Sequence, residues 1–148
     1  MITLLQIIFG WIYSHIFEYF AHRYILHNYK IFKPAFKNHF KLHHGVSRKN
    51  DMYDEAYKNL ISSKFELISL STITILHSPL IFYLPWFYGM LIFSVFTYYI
   101  LHKKAHTDVA WGKKWLPWHY AHHMGKNQNI NWGVRLPLVD KILNTSEY

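Results

Sequence analysis

From Leu67 through His102 the chain carries no Asp, Glu, Lys or Arg. A stretch that long without a charge belongs in a protein core or in a bilayer. Pro79, Pro85 and Gly89 interrupt it, so it reads as two helices joined by a turn, each a little short of the ~20 residues a full span needs. We expect a hairpin over residues 67–101 that dips through or deeply into the bilayer. The competing reading is the buried core hairpin of a soluble protein. A second apolar segment opens the chain: residues 2–26 predict one long helix, interrupted only by Glu18 and Arg23. A signal peptide is the alternative there, but no basic leader or small-residue cleavage site accompanies it.

The charges are placed as informatively as they are excluded. Sixteen Lys and Arg stand against eight Asp and Glu, a net charge of +8. The basic residues from Arg23 to Lys64 precede the hairpin, and those from Lys103 to Lys141 follow it. Two basic flanks around one charge-free hairpin belong on one side of a membrane, the cytoplasmic side by the positive-inside rule. Because the basic residues are interleaved with apolar runs, they suit anionic lipid headgroups, and no nucleic-acid partner is expected. Residues 28–64, polar and punctuated by Pro34 and Gly45, read as surface helices and loops near those headgroups. Strand alternation is weak throughout. The expected architecture is all-α and integral to the membrane. It is a small helical bundle, one domain over residues 1–148, with a cytoplasmic cap that carries a histidine-rich dimetal site.

That site is read from composition and spacing together. The chain has no Cys and twelve His, which excludes disulfides, thiolate ligands and a Cys nucleophile. Ten of the histidines fall into four clusters: His22 with His27, His39 with His43 and His44, His102 with His106, and His119 with His122 and His123. Residues three and four apart share a face of an α-helix. His39 and His43, His102 and His106, and His119 with His122 and His123 are therefore each expected to present imidazoles on one side. His22 and His27 are five apart, about 140° around an ideal helix. Either the helix loosens near Leu26 or the two serve different metals, and His44 beside His43 poses the same choice. A single tetrahedral site uses three or four protein ligands, so ten imidazoles point to two adjacent metals. Imidazole suits Fe, Zn, Cu and Ni alike. His15 and His77, isolated in apolar segments, read as packing or polar-network residues.

The third cluster follows Tyr98-Tyr99-Ile100-Leu101 with no turn residue between, which places the metals at the membrane surface just above the hairpin. Glu18, one turn before His22 in an apolar run, needs a partner. It either orients His22 through its second ring nitrogen or pairs with a nearby Lys or Arg. A protein that merely stores or carries metal is the non-enzymatic alternative, although the hairpin offers few polar residues to form a pathway.

In this order the clusters resemble the fatty acid hydroxylase and sterol desaturase superfamily of membrane di-iron proteins, over most of the chain. The stretch Glu18-Tyr-Phe-Ala-His22-Arg-Tyr-Ile-Leu-His27 looks like the first histidine box of fatty acid 2-hydroxylases. The tail from His122-His123 through Asn131-Trp132-Gly133, Pro137-Leu138, Asp140 and Thr145 resembles the family's ending, with Val139 and Asn144 where Trp and Gly are usual. The resemblance implies two iron ions (zinc in their place in recombinant protein), molecular oxygen as co-substrate, and insertion of OH into a C–H bond of a lipid. All ten clustered histidines are then ligand candidates. No side chain is assigned as general acid or base, since the resemblance leaves hydrogen abstraction to the metals and oxygen. No fused cytochrome domain is evident, so electrons are expected from a separate protein of cytochrome or ferredoxin type. Carotene hydroxylases are similar in size and first box. Their third box usually has one residue more than His102–His106, however, and they lack the Asn-aromatic-Gly tail. A fatty acyl or sphingolipid substrate is the expectation; a sterol or carotenoid, with hydroxylation or desaturation, is the alternative.

Overall fold

A computed structural model describes residues 1–59 and 64–148. The described residues are helical or irregular, with no strand. Helix α1 (Ile2–Phe20) runs into a π-helical turn, Ala21–Leu26, so the expected helix over 2–26 is continuous but changes winding near its end. Two short helices, α2 (Lys33–Phe36) and α3 (His44–Lys49), flank a second π-helical turn, Lys37–His43. These lie within the polar stretch expected over 28–64, of which residues 60–63 fall outside the described residues. The hairpin follows as α4 (Lys64–His77), a 3-10 turn over Ser78–Phe82, and α5 (Pro85–Thr107).

The break falls where proline dictates it. Pro79 is the second residue of the 3-10 turn and Pro85 occupies the first position of α5, where its missing N–H costs nothing. Gly89 does not interrupt the chain as expected. It lies inside α5, because a glycine without an accompanying proline only weakens a helix. Helix α5 also continues past residue 101, so the helix that leaves the apolar hairpin is the one that carries His102 and His106.

Helix α1 lies along α5. Gly10 permits the approach: a Cβ there would meet Met90 Cβ and the Phe87 carbonyl at 3.0 Å. Four residues on, the Ser94 hydroxyl donates to Ser14 across the same seam at 3.0 Å. Helix α4 joins α5 through the Tyr88 hydroxyl, which donates to the Thr74 carbonyl. It contains no buried residue. On the outward flanks of these helices stand large exposed apolar side chains, among them Phe9, Ile75, Leu76, Phe93 and Phe96. An apolar belt of this kind suits hydrocarbon rather than water. Among the described residues one helical stretch, Lys64–Phe82, is long and apolar enough to cross a membrane.

Above the belt, α6 (Val109–Trp115), α7 (Pro117–Met124) and α8 (Leu138–Ile142) close the cap. Its apolar clusters are small: Tyr19 with Trp132 and Val139, and Met52 with Ala105 and Leu116. Between them the interior is filled largely by imidazole.

Candidate metal centre

Winding sorts the histidines. In the π-helical turn Ala21–Leu26 the His27 N–H reaches back five residues to the His22 carbonyl at 3.2 Å. The second π turn does the same, with the His44 N–H bonded to the His39 carbonyl. An i→i+5 bond brings the fifth residue back over the first, so a five-residue spacing that diverges on an α-helix converges here. Helix α5 keeps α winding, and His102 and His106 converge at the usual spacing of four.

The result is two buried groups. His22, His27, His39, His44 and His122 form one; His43, His102, His106 and His123 form the other, with ligand nitrogens inside each group within 4.8 Å of one another. The expected partnership of His39 with His43 is therefore corrected: π winding pairs His39 with His44 and sends His43 to the other group. The expected common face of His119, His122 and His123 is likewise divided, since His122 and His123 enter different groups. His119 belongs to neither group as defined by those distances. It lies against the second, its Nε2 3.3 Å from His106 Nε2, and it is fully buried. His15 packs edge-on against Trp11, and His77 accepts from or donates to the Tyr13 hydroxyl at 2.9 Å. Neither enters a group, as expected for packing and network residues.

Five of the outer ring nitrogens are held by acceptors. His22 Nδ1 donates to the Trp132 carbonyl at 2.6 Å and His122 Nδ1 to the Ile130 carbonyl at 2.6 Å. In the second group His106 Nδ1 donates to the Met52 carbonyl at 2.7 Å, His43 Nδ1 to Asp54 at 3.1 Å, and His102 Nδ1 to Glu66 at 2.8 Å. Each such bond fixes the tautomer and turns the Nε2 lone pair inward. Two of the three carbonyls belong to, or follow directly on, residues in the left-handed region: Met52 at φ 72°, and Asn131 at φ 56° just before Trp132. Such backbone costs about 1–3 kcal/mol and persists where the surroundings enforce it. Here it aims a carbonyl at an imidazole.

Glu18 does not orient His22 directly. Its carboxylate pairs with Arg135 Nε at 2.6 Å and accepts from the backbone N–H groups of Val134 and Arg135. Asp140 accepts from the N–H groups of Trp132 and Gly133 at 2.8 Å, and from the Thr145 hydroxyl. A Cβ at Gly133 would strike the Leu136 carbonyl. The Asn-Trp-Gly, Asp and Thr elements of the tail thus clamp one loop, and that loop presents the carbonyl that holds His22.

Two observations test whether the arrangement fits metal ions. Buried ring nitrogens stand without protein partners: Nε2 of His43 and His102, and both nitrogens of His123, one a donor and one an acceptor in the neutral ring. An orphaned buried acceptor is costly unless something else satisfies it. Burial also holds several of the imidazoles neutral, the form that binds metal. Burial first, then neighbouring imidazoles, pushes His39, His44, His119 and His123 well below the usual histidine range. Burial likewise lowers His122 to about 4, against the opposing bond to Ile130. Converging neutral donors and vacant lone pairs fit a pair of ions that accept imidazole.

Sequence reasoning missed Asp54 and Glu66. Glu66 was findable, because it stands immediately before the charge-free run and must be satisfied at a bilayer edge. Asp54 gives no comparable signal.

The family profile for fatty acid hydroxylase matches residues 7–145. No curated protein and no solved structure matches the chain. The matched stretch contains both histidine groups and the tail that braces the first of them, and the chain belongs to the fatty acid hydroxylase family.

Proposed function

We propose that this protein is an oxygen-dependent di-iron hydroxylase that inserts OH into a C–H bond of a fatty acyl or sphingolipid chain. One observation carries the proposal. A cavity of about 940 Å³ reaches from His22, His39, His43 and His102 between α1, α4 and α5, where side chains such as Phe17 and Leu91 line it. Its volume lies near the top of the range for small-molecule sites, about 300–1,000 Å³, and a long hydrocarbon chain suits such walls. All ten clustered histidines serve as ligands in this reading. With two iron ions bound, the centre supplies activation of molecular oxygen.

The chain's own residues do the rest. The π turns and α5 hold the imidazoles at fixed spacing, and the Nδ1 acceptors orient them. The apolar flanks of α1, α4 and α5 position the chain and keep water from the reacting carbon. One oxygen atom enters the C–H bond. The other leaves as water with two protons and two electrons, which a separate cytochrome- or ferredoxin-type protein delivers. The basic flanks support a cytoplasmic position for the cap, so Lys37, Lys49 and Lys113 should be labelled by a membrane-impermeant reagent from that side.

The test supplies labelled oxygen gas, a reducing system and candidate lipids, and reads products by mass. Label in a new hydroxyl of an acyl chain is the expected result. Hydroxyl oxygen drawn from water would overturn the proposal. A new double bond without oxygen would move the protein to desaturation, and an oxidised sterol or carotenoid would change the substrate class.

A further inference from the structure

The two histidine groups are braced by different chemistry. In the five-histidine group the fixed Nδ1 atoms, those of His22 and His122, donate to backbone carbonyls. Among the described residues no carboxylate contacts any imidazole of that group. In the second group two buried carboxylates do: Asp54 against His43, and Glu66 against His102. Both pairs are secluded, with side chains no more than 12% exposed. Two other carboxylates lie near the centre and brace the tail loop: Glu18 is neutralised by Arg135, and Asp140 accepts from the Trp132 and Gly133 N–H groups and the Thr145 hydroxyl.

We propose that the two metal positions are unequal by construction: the group of His43, His102, His106 and His123 takes up its ion first and releases it last, and Asp54 and Glu66 are the residues that make it so. The inference rests on the dimetal reading above. Two effects act in the same direction. A carboxylate accepting from Nδ1–H makes the opposite nitrogen a stronger donor, and losing such a partner typically weakens metal binding 10–100-fold. Charge adds to this. Neutral imidazoles leave a bound dication uncompensated in a buried site, which is costly. Asp54 and Glu66 together bring two negative charges against imidazoles of the second group, while no carboxylate among the described residues pairs with an imidazole of the first. Asp54 is also tied to α5 by its own backbone, its N–H donating to the His106 carbonyl at 3.0 Å. The carboxylate that braces His43 therefore moves with the helix that carries His102 and His106. Asp54 and Glu66 act through the imidazoles and are positioning residues.

The experiment titrates the full chain, metal-free in detergent micelles, with Co²⁺, and follows the visible absorption of the imidazole-bound ion. The expected result is two phases, the first at least tenfold tighter. Asp54→Asn and Glu66→Gln each weaken the tighter phase by about 10–100-fold, while Glu55→Gln, at an exposed carboxylate next in sequence, leaves both phases in place. Asn retains the oxygen with which Asp54 accepts from the Ala56 N–H, so Asp54→Asn keeps that local turn. His106→Ala removes the tighter phase, and His44→Ala removes the weaker one. Two equal phases in the unaltered protein, an unchanged tighter phase in both carboxamide variants, or loss of the tighter phase in His44→Ala would each overturn the inequality alone. Uptake of one equivalent or fewer by well-folded protein would overturn the two-ion reading and this inference with it.

Discussion

His22–His27 and His102–His106 perform the same task with different backbones. The first pair is five residues apart on a π-helical turn, and the second is four apart on regular α-helix. Either way two imidazoles converge on one point. The π turn adds something that the α-helix cannot: it lets neighbouring residues part company. In Lys37–His43 the fifth-residue bond assigns His39 and His44 to one group and frees His43 for the other. The six residues His39–His44 thereby serve both groups. The α-helical pair serves one. Local winding, rather than ligand identity alone, decides which ion a histidine can reach.

The largest effect should come from ligand loss. His122→Ala and His106→Ala, one from each group, should each remove one equivalent of metal and reduce hydroxylation to background, measured by elemental analysis and product assay. Full metal retention in either variant would place that residue outside the centre.

Moving a ligand tests the winding itself. Leu26→His combined with His27→Ala sets the imidazole four residues from His22. On the π turn this should rescue neither metal nor activity beyond His27→Ala alone. Rescue would mean that the turn reverts to α winding without penalty.

The bracing of the π-side group provides a smaller effect. Glu18→Gln leaves Arg135 buried without its charge partner, which costs about 3–5 kcal/mol. The loop that presents the Trp132 carbonyl should loosen. Thermal unfolding should fall accordingly, and metal loss should begin in the five-histidine group while the His102–His106 side holds.

Acid should act on both groups alike. His122 takes up a proton near 6.5 when unfolded but only at about 4 when folded. The unfolded chain therefore binds more protons between those values, and metal-free stability falls as pH drops from about 6.5 toward 4. It levels off once the folded imidazole itself protonates. For His122 alone the loss is about 3 kcal/mol, and the lowered histidines beside it add in the same direction. Denaturation of metal-free protein at pH 7.5 and pH 5 measures this; equal midpoints would contradict it. Smallest of all, His77→Ala, outside both groups, should lose its hydrogen bonds to the Tyr13 hydroxyl and the Ile73 carbonyl, about 1 kcal/mol each, and keep both metals.

Much of this was legible from residue order. The charge-free run announces the hairpin, proline marks its turn, and clustered imidazoles announce two ions. The partition of ligands was not legible. Helical periodicity assumes α winding, and a π turn arises from tertiary demand that no local residue pattern near His22 or His39 declares. Glu18 shows the same limit. Its need for a partner is plain from its apolar neighbours, but the partner, Arg135, lies over a hundred residues away. The strained carbonyl at Met52 was equally hidden, because methionine carries no preference for the left-handed region.

His43 and His44 are consecutive, as are His122 and His123, and each pair sends one ring to either group. Consecutive α-carbons are 3.8 Å apart, a length fixed by covalent bonds. The distance between the two centres is therefore spanned twice by a single peptide unit, from two different elements. Helices can slide and loops can breathe, but a peptide bond does not stretch. The centres are yoked like two beads on adjoining links: neither can drift from the other without tearing its own ligands away.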